Sequence, residues 1–123
     1  MARSGRRRIL LAGAAALVVP AARAQPQRQS ARVGIVFNTL ALGAVGGERP
    51  REPLMREFLL GLRDDGWVEG RNIVIERRSA EGKLDRLESI VRELSQLPVD
   101  VIVVSGNAAT LAAKKATSTV PIV

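Results

Sequence analysis

The sequence contains no cysteine and no histidine, and only 2% of its residues are aromatic. Without cysteine, the chain has neither a disulfide framework nor a thiolate metal or redox site. Without histidine, it lacks the commonest general base and the commonest metal ligand, and a Ser–His–Asp triad cannot be assembled. No other nucleophile–base pair is visible in the sequence. We therefore predict a protein that is not an enzyme and has no cofactor and no metal site.

Hydrophobic residues nevertheless make up 46% of the 123-residue chain. Because aromatic residues are so few, a core has to be built from Val, Ile, Leu and Ala. A chain of this length accommodates one domain at most. The composition thus predicts one small unit with an aliphatic core.

The net charge of +7, from 19 Lys and Arg against 12 Asp and Glu, suggests a nucleic-acid or anionic-membrane partner. Five of the positive charges lie within the first 24 residues, which contain no acid: Arg3, Arg6, Arg7, Arg8 and Arg23. Subtracting these five from 19 leaves 14 basic residues against 12 acidic ones, so the rest of the chain is close to +2. We therefore predict no nucleic-acid partner.

The basic N-terminus is followed by an apolar run of eleven residues, Ile9–Val19, and then by the small-x-small site Ala22-Arg23-Ala24. This order predicts a signal peptide over residues 1–24, cleaved after Ala24, and hence a periplasmic protein. The run is too short to remain as a stable membrane anchor. A short amphipathic or buried helix is the alternative, but the run has no polar face.

Two details refine this prediction. Arg6 and Arg7, followed by one residue and then Ile9 and Leu10, also fit the twin-arginine export pattern, although basic starts are common to ordinary export signals. Residues 25–32 are polar and predict a flexible lead-in.

The remaining sequence alternates apolar strand patterns with helical ones. Strands are predicted at Val33–Phe37, at Asn72–Arg78, which turns polar like an edge strand, and at Val99–Val104, the most apolar and therefore a central one. Val120–Val123 opens a fourth strand.

Three helices are predicted between these strands. The first begins near Pro53 and stops at Gly66 in the left-handed conformation, and the second carries an apolar stripe from Leu84 to Leu97. The third runs from Ala108 to about Thr117, with Asn107 as its N-cap.

This alternation predicts an α/β fold with a parallel sheet, helices on both faces and right-handed crossovers. The expected strand order is 2-1-3-4, the doubly wound, flavodoxin-like arrangement. A sheet of this kind normally continues beyond four strands, so the predicted fold is incomplete.

Ligands of open parallel sheets bind beyond the carboxyl ends of the strands, where the strand order reverses. The residues at this position form the predicted ligand-binding set: Asn38, Thr39, Ser79, Ser105, Gly106 and Asn107. The hydroxyl, the amide and the free N–H groups at residues 105–108 could hold a carboxylate or another anionic oxygen. Asn107 has two interpretations, a helix cap only or a cap that also contacts a ligand.

Other candidate motifs favour structural roles. Gly43–Gly47 lacks the spacing of a phosphate-binding loop and predicts a flexible loop. Asp64-Asp65, Arg77-Arg78 and Lys114-Lys115 are predicted to be solvated surface, and Trp67 is predicted to pack under a turn.

The chain resembles the periplasmic substrate-binding proteins of ABC transporters, in the branch that includes tryptophan and tyrosine uptake proteins. The resemblance rests on the order of these stretches: residues 6–10 and 21–25, Val33-Gly34-Ile35, Phe58–Leu62, Gly66–Ile73, Ile75-Glu76-Arg77, Ala80-Glu81-Gly82, Asp85-Arg86-Leu87 and Ala112–Val123.

This resemblance implies a type I periplasmic-binding fold, in which two α/β lobes close on a small solute. Residues 33–123 would form part of the first lobe. It also implies a small-molecule ligand, with an amino acid as a candidate, and the permease and ATPase subunits of an importer as partners. By position, Asn38, Thr39 and residues 105–107 carry over as ligand contacts.

Two other interpretations stay open at this point. The first is a truncated fragment without independent binding activity, because a sheet that stops at Val120–Val123 has an open edge. A flavodoxin-like enzyme is the second, and it would need a cofactor loop or an acid–base pair that the sequence does not show.

Overall fold

A computed structural model of the protein describes residues 30–123. The predicted signal peptide and residues 25–29 of the predicted lead-in lie outside these residues. At its end the lead-in prediction is wrong, because Ala31 and Arg32 pair with the neighbouring strand and begin the sheet. The described chain contains a parallel sheet of three strands: β1 (Ala31–Phe37), β2 (Ile73–Ser79) and β3 (Val101–Val104).

The strand order is β2-β1-β3, which confirms the predicted order for these three strands. The first residues of the predicted fourth strand lie beside β3, where Ile122 forms a parallel bridge with Ile102. Within residues 30–123, β2 is therefore at one edge of the sheet, and β3 has a neighbour on each side.

Four α-helices and one 3₁₀ turn connect and cover the strands. They are α1 (Leu42–Val45), α2 (Pro53–Asp64), the 3₁₀ turn Leu84–Arg86, α3 (Leu87–Ser95) and α4 (Asn107–Ala116). No helix among residues 30–123 has the length and apolar character needed to cross a membrane.

The helices divide into two layers because side chains along β1 alternate between the faces of the sheet. On one face, Ile35 and Phe37 of β1 pack with Met55 of α2. On the other face, Val36 packs with buried residues of α3 and α4, among them Leu94 and Ala113. The aliphatic composition thus produces a doubly wound sheet with one small core on each face.

The C-terminal end of α2 confirms the predicted left-handed glycine. Gly66 has φ +89° and donates its N–H to the carbonyl of Arg63, while Trp67 donates to the carbonyl of Leu62. These two bonds are those of a Schellman motif. Trp67 is half-buried and packs against the α2 side of the core, as predicted.

Three local predictions are wrong. The predicted loop around Gly43–Gly47 contains α1, because the fully buried side chain of Val45 anchors a single turn to the core. The second predicted helix begins as a 3₁₀ turn at Leu84. Asn107 is the first residue of α4 and not its cap, a position that Gly106 takes.

The pair Arg77-Arg78 also differs from the predicted solvated surface. The guanidinium of Arg77 forms a bidentate ion pair with Glu69, at 2.6 and 2.8 Å, and only 12% of its side chain is exposed. Arg78 contacts Glu76 and Glu93. Both arginines therefore help to fix the edge strand β2.

Candidate functional site

The polar strand ends meet at the carboxyl edge of the sheet. β1 and β2 end level with each other, because Phe37 pairs with Ser79. Between β1 and β3, the last pair is Val36 with Val104, so Ser105 lies at the same level as Phe37. Asn38 and residues 105–107 consequently leave neighbouring strands at the same height, at the point where the strand order reverses.

Asn38 and Gly106 lie close together at this edge. A Cβ atom built on Gly106 would lie 2.9 Å from Nδ2 of Asn38, so a side chain at position 106 fits only if the amide moves. Gly106 also has φ +93° and ψ 159°, a backbone conformation that is essentially restricted to glycine. These two constraints bring the end of β1 against the start of α4.

The carboxamide of Asn38 has an unusual environment. Its Oδ1 is buried and receives no hydrogen bond from residues 30–123. Its backbone carbonyl accepts the N–H of Gly82 at 2.8 Å, which holds the loop after β2 against the end of β1. Unpaired buried acceptors are uncommon and cost about 1–3 kcal/mol each, which makes Asn38 a candidate functional residue.

The first turn of α4 has backbone donors without acceptors in the helix. No side chain of the described residues caps this helix. The first intrahelical bond comes from Thr110, whose N–H donates to the carbonyl of Gly106, so the N–H groups of residues 107–109 have no acceptor in the helix. Residues 105–107 are exposed. The partial positive charge of the helix start and these N–H groups suit an anionic oxygen.

The other predicted ligand residues have different surroundings. Ser79 donates its hydroxyl to the carbonyl of Leu40 at 2.5 Å and accepts the N–H of Glu81 at 3.0 Å. Its hydroxyl is thus occupied by bonds that join the loops after β1 and β2. Thr39 is exposed at the start of its loop. The structure therefore brings Asn38, Gly106 and Asn107 together, whereas Ser79 orders the neighbouring loops.

An apolar cavity of about 180 Å³ opens on the α2 face of the same sheet edge. Ser105 is at its rim, and its walls come from Phe37, Val103 and the α2 residues Leu54 and Phe58. Leu54 is 67% exposed and forms the part of the wall nearest to solvent. Sequence reasoning missed this cavity, although the i, i+4 spacing of Leu54 and Phe58 placed both residues on one helix face.

Among residues 30–123, no group of three acidic side chains is arranged to hold a metal ion. The polar side chains that directly follow β1 and β3 at this edge are uncharged: the carboxamides of Asn38 and Asn107 and the hydroxyl of Ser105. The arrangement therefore offers hydrogen bonds and a helix start to a ligand.

A scan against protein-family models and a search of curated proteins find no match. Among solved structures, the chain is similar to a conserved domain protein from Vibrio cholerae O1 biovar El Tor strain N16961, with 26% identity and a TM-score of 0.60 over 76% of this chain. It is also similar to CD0873, a substrate-binding protein with adhesive properties from Clostridium difficile, in its ligand-free open structure. That match has 24% identity and a TM-score of 0.58 over 75% of this chain.

The chain spans 29% of the length of each of these two solved proteins. The likeness concerns the fold. This likeness agrees with the α/β architecture that the sequence predicts and with the parallel sheet of the structure, in the order β2-β1-β3.

Proposed function

We propose that this chain belongs to the solute-binding component of an ABC-type importer and captures a small solute outside the inner membrane. The observation that carries the proposal is the contact of Asn38 with Gly106 beside the uncapped start of α4. This contact lies at the switch point of the sheet, where ligands of such folds bind. The likeness of the fold to a substrate-binding protein supports the same function.

The chemistry of the site favours a solute with an anionic oxygen and an apolar part. The backbone N–H groups of Asn107 and Ala108 and the side-chain amide of Asn107 would bind a carboxylate by charge-assisted hydrogen bonds. The cavity beside Ser105 has apolar walls and would take an apolar side chain. An amino acid with an apolar side chain combines both features, and we propose this solute class.

The proposed partners follow from the resemblance to ABC-type binding proteins. A binding protein does not move its solute across a membrane, so a permease and an ATPase would be needed for uptake. The predicted signal peptide would place the binding protein on the outer side of the inner membrane, where it meets the solute first.

Isothermal titration calorimetry of the full chain with single amino acids tests this function. We expect saturable binding of leucine or phenylalanine, and much weaker binding of aspartate and lysine. Leucinamide, which lacks the carboxylate, is the matched control for leucine and should not bind. A solute at 100 times its Kd should also stabilise the fold by about 2.7 kcal/mol. Absence of saturable heat with every amino acid would contradict the proposal.

A further inference from the structure

A second cavity, of about 460 Å³, lies on the side of α2 that turns away from the sheet. It is distinct from the carboxyl-edge site and is lined by four arginines, one glutamate and three apolar or ring residues. These are Arg49, Arg51, Arg56, Arg63, Glu48, Pro50, Leu59 and Leu60. All four arginines are exposed, and Leu60 is exposed between Arg56 and Arg63 on the same helix face.

Within residues 30–123, the four arginines that line this cavity have no carboxylate partner. The ion pairs of this part of the chain involve other arginines, namely Arg32, Arg77, Arg78 and Arg92. One hydrogen bond orders the group, in which Nη2 of Arg56 donates to the carbonyl of Arg51 at 3.0 Å. Four positive charges therefore line one space together with a single acid, and their mutual repulsion favours an anionic ligand.

The acidic residues nearby do not neutralise this cavity. Glu52 uses its carboxylate to cap α2, accepting the N–H of Met55 at 2.7 Å. Glu57 and Asp64 lie about a quarter turn around the helix from Arg56 and do not line the cavity. Glu48 is the one acid in the lining, and it forms no ion pair within the described residues. The lining thus keeps a clear positive excess.

We propose that this cavity binds a phosphate- or sulfate-type oxyanion attached to an apolar group. Guanidinium groups match the geometry of such oxyanions and bind them through paired N–H donors. Four of them around one space offer more N–H donors than a single carboxylate accepts, and Leu59 and Leu60 supply an apolar contact surface. A soluble phosphate ester and a phospholipid headgroup share this chemistry.

The test uses the full chain with three probes: inorganic phosphate, phenyl phosphate, and phosphatidylcholine vesicles with and without phosphatidylglycerol. We expect saturable binding of phenyl phosphate, tighter than that of inorganic phosphate because the ring contacts the leucines. If the source is a lipid headgroup, the chain instead sediments with the phosphatidylglycerol vesicles and not with phosphatidylcholine alone.

The double variant R56Q/R63Q should weaken the observed binding about ten-fold, because it removes two charge-assisted donors. The matched control is R71Q/R86Q, which removes two exposed and unpaired arginines outside the cavity and should change binding less than about two-fold. Equal losses in both variants would show unspecific attraction and overturn the site. Failure of both phenyl phosphate and phosphatidylglycerol vesicles to bind would also overturn it, while leaving amino-acid binding at the sheet edge unaffected.

Discussion

Asn38 and Gly106 leave different strands, and the position of each depends on the other. The amide of Asn38 occupies the space in which a Gly106 side chain would lie. Because Gly106 also has a positive φ, two separate constraints require glycine at the start of α4. This pair gives the candidate site its defined shape.

Substitution of Gly106 tests these two constraints. Gly106→Ala places a side chain at φ +93° and ψ 159°, which should cost about 1–3 kcal/mol, and also places it against the Asn38 amide. Asn38→Ala removes that amide, so in urea unfolding we expect Gly106→Ala to cost less stability in the Asn38→Ala background than in the unchanged chain. Equal Gly106→Ala losses in the two backgrounds would contradict the close contact.

The sequence was sufficient to place the candidate residues at one edge of the sheet, but it did not reveal their individual contacts. The alternation of strands and helices was sufficient to place Asn38, Ser79 and Ser105 at one sheet edge. It could not show that the Ser79 hydroxyl bonds to the Leu40 carbonyl, because that contact spans 39 positions in sequence. It also assigned the cap to Asn107, because propensity does not register a glycine whose backbone conformation already turns the chain.

At the scale of elements, β2 depends on its ion pairs. The strand is at an edge of the described sheet, and Glu69 holds Arg77 in a largely buried bidentate pair. The Nε atom of Arg77 has no acceptor within residues 30–123. Loss of Glu69 would leave a buried cation without its partner, which is more costly than losing an exposed pair.

Alanine substitutions measure this difference. Glu69→Ala should destabilise the fold by about 1–3 kcal/mol, since Arg77 stays desolvated. Glu88→Ala removes the exposed i, i+4 partner of Arg92 and should cost about 0.5 kcal/mol or less. Thermal unfolding of the two variants gives the comparison. If Glu69→Ala lost no more stability than Glu88→Ala, the Glu69–Arg77 pair would contribute no more to folding than an exposed ion pair.

The long helices were predictable and the short helix α1 was not. α2 carries an apolar stripe and a glycine stop, so its end at Asp64 and the turn at Gly66 follow from local rules. α1 has four residues, too few for a periodic pattern, and depends on the burial of Val45. The Arg77–Glu69 pair arises from the turn before β2, and a sequence pattern of alternating charge does not reveal it.

At the scale of the whole molecule, the net charge of +7 suggests an anionic partner only while the N-terminal segment is counted together with the rest of the chain. Five arginines fall within the predicted signal peptide, and the rest of the chain is close to neutral. The strand order β2-β1-β3 was predictable because alternating strands and helices leave few topologies. The cavities on either side of α2 were not, since they depend on how that helix packs.

Export of the chain provides a test at this scale. Expression in a bacterium with both export routes should yield a periplasmic product whose N-terminus, by mass spectrometry, is Gln25. Arg6→Lys/Arg7→Lys should abolish export if the twin-arginine route is used, because this route requires the arginine pair. Arg3→Lys/Arg23→Lys is the matched control. A cytoplasmic product that keeps residues 1–24 would contradict the predicted signal peptide.

The proposed function requires that a small solute binds at the carboxyl edge of the sheet. Amide chemical shifts of the full chain, followed by NMR during titration with leucine and with phenylalanine, report this binding residue by residue. We expect saturable shifts for Asn38 and for residues 105–109, with little change along the exposed face of α3. No saturable shift at these positions, or shifts confined to other surfaces, would contradict it.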